Sequence, residues 1–285
     1  MKSLTRPLLK SLVCIFLTSL CLFTFATEKP NNPHSLKDAA SETPLLRDSV
    51  RLTTGEWAPY ISEHRPHFGL AAHIVTEAFK LEGVRIEFGF FSWKRAFAQA
   101  KVGRWDGSMV WGHKGDRENF FYISDPIINE KTVFSYLREK DFKWSKYQDL
   151  RGLSIGLTKS YQYSDEFQAA IKQKTFSTQV ANQDILNFKK LLKRRIDLFP
   201  IDHVVAQDLL QNYFSPDDQL KIAFHPKPIH EGTQHLLLSK QNASNKTLIK
   251  RFNEGLMRLK ASGRYQQIMK DFKRGAYAGQ KPTNP

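Results

Sequence analysis

The sequence predicts an α/β protein of two lobes, with the chain crossing between them twice. Three observations carry this. Short apolar stretches that read as strands alternate with helical stripes of ten or more residues, an order that builds mainly parallel sheets flanked by helices. The alternation pauses at Asp125-Pro126 and restarts beyond a strand over 132–137, where Leu153, Ile155 and Leu157 form a new inner strand. A late strand over 235–239 then precedes two closing helices, so the chain is expected to leave the first lobe at 129–131 and return at 232–235. Two crossings make a double hinge, about which the halves close as rigid bodies without repacking either core.

At the amino end, Lys2, Arg6 and Lys10 precede an apolar run over 11–25 and the small residue Ala26. That run is shorter than the ~20 residues a membrane span needs. It reads as a cleaved export signal over 1–26, so the mature protein is expected outside the cytoplasm. Both cysteines, Cys14 and Cys21, lie inside the signal, and neither follows the small residue that lipoprotein processing requires. The mature chain therefore lacks thiols, which excludes a disulfide framework, a thiolate metal site and a cysteine nucleophile. Residues 27–48 are polar, carry three prolines and read as a flexible leader. The formal charge of +15 falls to +12 when the three signal bases are removed. Export and the scattering of the bases along helix faces argue against nucleic acid as a partner.

The elements follow in order. Val50-Arg51-Leu52 begins the first strand, which ends in a turn fixed by Gly55 and Pro59 and carrying Glu56, Trp57 and Tyr60. Leu70, Ile74, Ala78 and Leu81 recur at helical spacing, with His73 on the exposed face and Gly83 as the stop. Ile86, Phe88 and Phe90 alternate with Arg85, Glu87 and Gly89 as a strand with one buried face. Ser92 caps a helix that carries Trp93 and Arg95 near its start, both within reach of a cleft, and ends at Gly103. After the crossing, Thr158, Lys159, Ser160 and Tyr161 form a polar turn expected to open a helix, whose free N–H groups suit an anion. Ile185, Phe188 and Leu192 make another helical stripe, and Asp202 ends the apolar strand that follows.

The stretch over 104–126, RWDGSMVWGHKGDRENFFYISDP, holds the chemistry. Met109, Val110 and Trp111 form a short inner strand running into a loop with Arg117. Ligands collect at the carboxyl ends of such strands, and an arginine there offers a planar fork that fits a carboxylate bidentately. The stretch resembles a segment of the family-3 (polar amino acid type) periplasmic solute-binding proteins, with its G-x-x-D, apolar strand, loop ending in Arg, and F-x-x-S-x-P. LTTGEWAPY, FGLAAHIVTEAF, DLRGLSIGLTKSYQY, RRIDLFPID and LMRLKASGRYQQIMKDF resemble further family segments in the same order.

The resemblance implies a two-lobed periplasmic binding protein-like (type II) fold. Its lobes would be 49–130 with 236–275, and 131–235, before a flexible tail over 276–285. It further implies a monomer that traps a small carboxylate-bearing ligand, an amino acid or a related molecule, and delivers it to an ABC permease without a cofactor. Arg117 would take the carboxylate, Trp57 would cover the side chain, and Asp202 would hold an amino group, with Thr158, Ser160 and Tyr161 engaging from the second lobe. Trp111 stands where amino acid binders place hydroxyls before the arginine, which leaves dicarboxylate, peptide-like and aromatic acid ligands open. Two alternatives stay open beside the trap. One is an enzyme resembling cyclohexadienyl dehydratase, using Glu56, Glu231, His113 or His230 as acid or base. The other is a sensor that passes its closed state to a signalling partner.

Overall fold

A computed structural model describes residues 48–159, 161 and 163–279. The signal expected over 1–26 and the leader expected over 27–48, save its last residue Asp48, lie outside the described residues, as do Ser160, Gln162 and 280–285. The first lobe pairs β1 (Ser49–Thr54) in parallel with β2 (Arg85–Phe90), the two joined by α1 (Leu70–Lys80). Along β2 the expected alternation holds, with Ile86, Phe88 and Phe90 packed on the core and Arg85 and Glu87 exposed. Next come α2 (Trp93–Lys101), β3 (Gly107–Gly112) and β4 (Phe121–Ile123).

The chain crosses to the second lobe on β5 (Ile128–Leu137). That lobe contains β6 (Ser154–Thr158), α3 (Asp165–Lys172), β7 (Ser177–Ala181), α4 (Asp184–Leu192), β8 (Phe199–Asp202), α5 (His203–Tyr213), α6 (Pro216–Lys221) and β9 (Ile222–Phe224). The chain returns on β10 (His230–Ser239) and closes with α7 (Asn245–Ala261) and α8 (Arg264–Lys273).

One sheet runs in the order β2-β1-β3-β10-β5-β8, with β4 on β10 and β9 on β5. β5 and β10 lie antiparallel, Glu130 opposite Gly232 and Asn129 opposite Thr233. Beyond that shared segment β10 pairs with β3 and β4, while β5 pairs with β8 and β9. The two strands are thus the double crossover, each with one half in each lobe. They also correct the expectation of mainly parallel sheets. Pairing is parallel in β1–β2, β1–β3 and β6–β7 but antiparallel wherever β5 or β10 takes part. A departing and a returning strand that lie side by side must run in opposite senses.

One apolar core, around Phe134, Trp144, Leu150, Phe167 and Phe176, belongs to the second lobe. A larger one joins Leu52, Phe79 and Phe252 of the first lobe to Phe188, Phe199 and Val205 of the second. The expected pair of separate cores is therefore replaced by one second-lobe core, one that continues past the crossing strands and a small first-lobe cluster of Ala100, Phe121 and Leu237. Close approach within the larger core depends on Gly255 of α7, where a Cβ would fall 2.1 Å from the Ala78 carbonyl oxygen of α1.

Three local differences have simple causes. The polar turn at 158–161 does not open α3; that helix begins at Asp165, because Ser164 caps it by accepting the Phe167 N–H at 3.2 Å. Ser92 occupies the N-cap of α2 without a side-chain cap bond. His73, expected on the exposed face of α1, is buried. The segment over 276–279, expected in the tail, folds back so that the hydroxyl of buried Tyr277 meets His73 Nδ1 at 2.5 Å, and the His67 ring stacks on His73 at 4.1 Å.

Burial, with the neighbouring His67, lowers the His73 pKa to about 4. A histidine kept neutral in the folded protein takes up protons on unfolding, so its contribution to stability is complete above about 6.5 and is lost as pH falls toward 4. Urea denaturation at pH 7 and pH 5 is expected to show a loss on the order of 1 kcal/mol at the lower pH. His73→Gln should flatten that difference; an unchanged difference would place its source elsewhere.

Candidate functional site

A cavity of about 660 Å³ lies between the lobes, beside the crossing strands. Its first-lobe wall is aromatic. Trp93 and Phe97 sit four residues apart on one face of α2, and Trp111 follows at the end of β3; all three line the cavity. Trp111 meets Trp93 at 5.2 Å and Phe97 at 5.1 Å, both edge to face, and its indole N–H donates to Ser108 Oγ at 2.7 Å. Trp57 completes the wall, held by an antiparallel bridge to Ile61 and packed 4.7 Å from the Tyr60 ring.

A backbone irregularity aims Trp111. His235 pairs with Trp111 and Leu236 with Met109, so Val110 is the extra residue of a bulge. Its φ is +66°, a conformation that costs a β-branched residue of order 1–3 kcal/mol. Such bulges re-aim side chains next to functional sites, and Val110 itself lines the cavity.

Arg117 lines the same wall and is only 5% exposed. Its guanidinium lies over Trp111 at 5.1 Å and Phe97 at 5.9 Å, and one Nη donates to the Gly112 carbonyl. Burial draws its pKa down from the ordinary arginine value, against the opposing pull of Asp116. Stacking of this kind fixes a guanidinium in one plane.

Asp202 lines the floor from the second lobe, so the arginine and the acid share one cavity. The carboxylate is nevertheless committed to the fold. Oδ1 accepts the Tyr60 hydroxyl at 3.2 Å and the Val204 and Val205 N–H groups at 3.0 and 3.1 Å, which caps α5. Oδ2 accepts the Lys131 N–H at 2.9 Å. Burial raises the Asp202 pKa, against these hydrogen bonds. Tyr60 is thus buried beneath the site rather than lining it, and its hydroxyl ties the first lobe to the second.

Tyr161 lines the second-lobe side, its hydroxyl donating to Asp184 Oδ2 at 2.5 Å. Thr158 is buried behind it and donates to Asp184 Oδ1 at 2.5 Å, a supporting position rather than a lining one. Burial pushes the Asp184 carboxyl up, while the bonds from Thr158 and Tyr161 oppose that. Ser160 lies outside the described residues. Glu56 is exposed and spends its carboxylate on the Glu63 N–H at 2.9 Å, and Arg95 is exposed over the Phe91 ring at 4.8 Å; neither lines the cavity.

Further lining residues were not singled out as ligand contacts from the sequence: Lys94, Phe97, Lys114, Glu130 and Tyr163. His113 and His230, named there only for an enzyme, also line it, whereas Glu231 does not. Across the mouth, Lys114 of the first lobe faces Asp165 of α3 at 3.7 Å. Among the described residues no cluster of histidine, cysteine or acidic side chains could hold a metal ion. Tyr60→Phe removes one of four donors to Asp202 and is expected to cost about 1 kcal/mol in denaturant unfolding. A loss below a few tenths would mean that the link between lobes carries no load.

The model of the bacterial extracellular solute-binding proteins, family 3, matches residues 52–274. Solved structures share the fold at low identity. A mutant of ArgBP from T. maritima is 14% identical, with a TM-score of 0.63 over 80% of this chain and 96% of that one. The GluR0 ligand-binding core from Nostoc punctiforme in complex with L-glutamate is 16% identical, TM-score 0.63, over 78% and 98%. A histidine kinase sensor domain with similarity to periplasmic binding proteins is 16% identical, TM-score 0.63, over 79% and 96%. These likenesses establish the two-lobed type II periplasmic binding fold. No curated protein matches the sequence.

Proposed function

The chain belongs to the bacterial extracellular solute-binding proteins, family 3, and we propose that it captures a small carboxylate-bearing ligand, an amino acid or a close relative, between its lobes in the periplasm and delivers it to an ABC permease. The observation that carries this reading is the cavity between the lobes, in which a stacked arginine and three tryptophans form one wall and second-lobe residues form the other.

Arg117 takes the carboxylate. A charge-assisted hydrogen bond contributes about 1.5–3 kcal/mol, whereas micromolar affinity needs about 8 kcal/mol. The arginine alone therefore does not suffice, and burial of the ligand's side chain against Trp57, Trp93 and Trp111 supplies much of the remainder. Tyr161 and the cavity floor engage from the second lobe. A ligand touched from both sides favours the closed arrangement, because only contacts that differ between two states can shift their balance. The chain acts as a monomer with no cofactor, and the bound molecule leaves unchanged.

A second reading, a sensor that reports closure to a signalling partner, draws on the shared fold of the histidine kinase sensor domain. Both readings need the same binding event; they part on whether deletion abolishes uptake of the ligand or a transcriptional response to it. A thermal-shift screen of amino acids, dicarboxylates and small peptides tests the binding itself, since a ligand at about 100 times its Kd adds about 2.7 kcal/mol. Arg117→Ala is expected to abolish the shift, and Arg117→Lys, which keeps charge but loses the fork, to weaken affinity at least ~10-fold. Wild-type affinity in both variants would remove the arginine from the site.

A further inference from the structure

We propose that Glu130, on the crossing strand β5, is the residue that receives a ligand's amino group in this cavity, in place of Asp202, which closes the α5 cap. The inference rests on the capture reading above and names the specificity element of that same site.

Three acids line the cavity; Asp116 lies beside Arg117, where its charge serves the guanidinium, and acceptor capacity decides between the other two, Glu130 and Asp202. A carboxylate has about four lone-pair sites, and Asp202 already accepts from four donors, the Tyr60 hydroxyl and the N–H groups of Lys131, Val204 and Val205. Three of these crowd Oδ1 and one occupies Oδ2, so a single Oδ2 site remains, on a residue only 5% exposed. Glu130 lines the cavity with a side chain 15% exposed, and among the described residues its carboxylate is given one partner, His230 Nε2 at 3.5 Å. Glu130 draws His230 into an ion pair that raises the His230 pKa, yet at 3.5 Å the contact is longer than an ordinary hydrogen bond of about 2.7–3.2 Å, so a ligand ammonium competes there with one long contact and not with a helix cap.

The strand register builds this arrangement. Gly232 lies directly opposite Glu130, with His230 two residues before it on the same face. A Cβ at Gly232 would fall 2.6 Å from His230 Nε2 and 3.2 Å from Glu130 Oε1, so the glycine leaves the space that the pair occupies. Glu130 is also close enough to the floor for its charge to add to the upward push on the Asp202 and Tyr60 pKa values. The carboxylate-binding arginine and this acid then sit on different elements of one cavity, the arrangement a zwitterion requires.

The test uses matched probes that differ only in the amine: L-glutamate with glutarate, L-phenylalanine with 3-phenylpropanoate, and L-arginine with 5-guanidinopentanoate. Calorimetry on the full mature chain is expected to show that Glu130→Gln weakens an amine-bearing probe at least ~10-fold and leaves its des-amino partner within about twofold. A second readout uses the wild-type protein, so it does not depend on the variant folding. His230 is faced by Glu130, Lys114 and Glu166, and its ring can be titrated by NMR. An ammonium seated at Glu130 lowers the His230 pKa on saturation, while a des-amino carboxylate leaves it in place or raises it.

Unchanged preference for the amine in Glu130→Gln, or a His230 pKa that does not fall, overturns the assignment and leaves the ligand trap intact. Binding of des-amino probes alone does the same. Failure of every probe to bind the wild type overturns this assignment together with the amino acid reading.

Discussion

The carboxylate of Asp202 is the constraint on which the arrangement between the lobes depends. It gathers a hydroxyl from the first lobe, an N–H from the crossing strand and two N–H groups from the start of α5. The Tyr60 hydroxyl and the Val205 N–H are buried donors that would otherwise lack a partner, at a cost of about 1–3 kcal/mol apiece. The floor of the cavity is therefore set by hydrogen-bond satisfaction and not by apolar packing alone. A second link, Arg65 to Asp208 at 2.7 Å, joins the same first-lobe loop to α5, and Arg65 also donates to the Tyr277 carbonyl at 3.1 Å. The turn after β1, the helix after β8 and the chain's last described residues are thereby held together.

Against that fixed floor, the aromatic wall gains its shape from strain. The bulge at Val110 turns Trp111 toward Arg117, and the guanidinium then rests on the rings of Trp111 and Phe97. A residue held in an unfavourable conformation persists only where its surroundings over-determine it. Here the pairing of β3 with β10 on both sides of the bulge does so. Strain, stacking and burial together hold the arginine in place before any ligand arrives, and such preorganisation lowers the entropy lost on binding.

Much of this was legible in the sequence because it is local. Alternating apolar residues gave β2, the spacing of Leu70, Ile74 and Ala78 gave α1, and the renewed pattern after Asp125-Pro126 gave the crossing. Trp57, Trp93, Trp111 and Arg117 stand at strand or helix ends, where side chains converge, and all four line the cavity. Long-range pairing was not legible. Thr158 turns inward because Asp184, 26 positions later, accepts its hydroxyl, and His73 is buried by Tyr277, 204 positions later. Arg95 misses the cavity that Lys94 lines because successive helix positions differ by about 100° in direction. Glu130 carried no signal at all, since a polar residue in a crossing strand reads as solvent-facing until the partner strand and its glycine are placed opposite.

The central claim is that one small molecule is held from both lobes, with its carboxylate on Arg117. The most direct measurement is a crystal structure of the mature protein with the tightest ligand from a thermal-shift screen. Ligand carboxylate oxygens are expected within hydrogen-bond reach of the Arg117 guanidinium, with further contacts from second-lobe residues of the same cavity. A ligand seated on one lobe alone, or one whose carboxylate points away from Arg117, would contradict it.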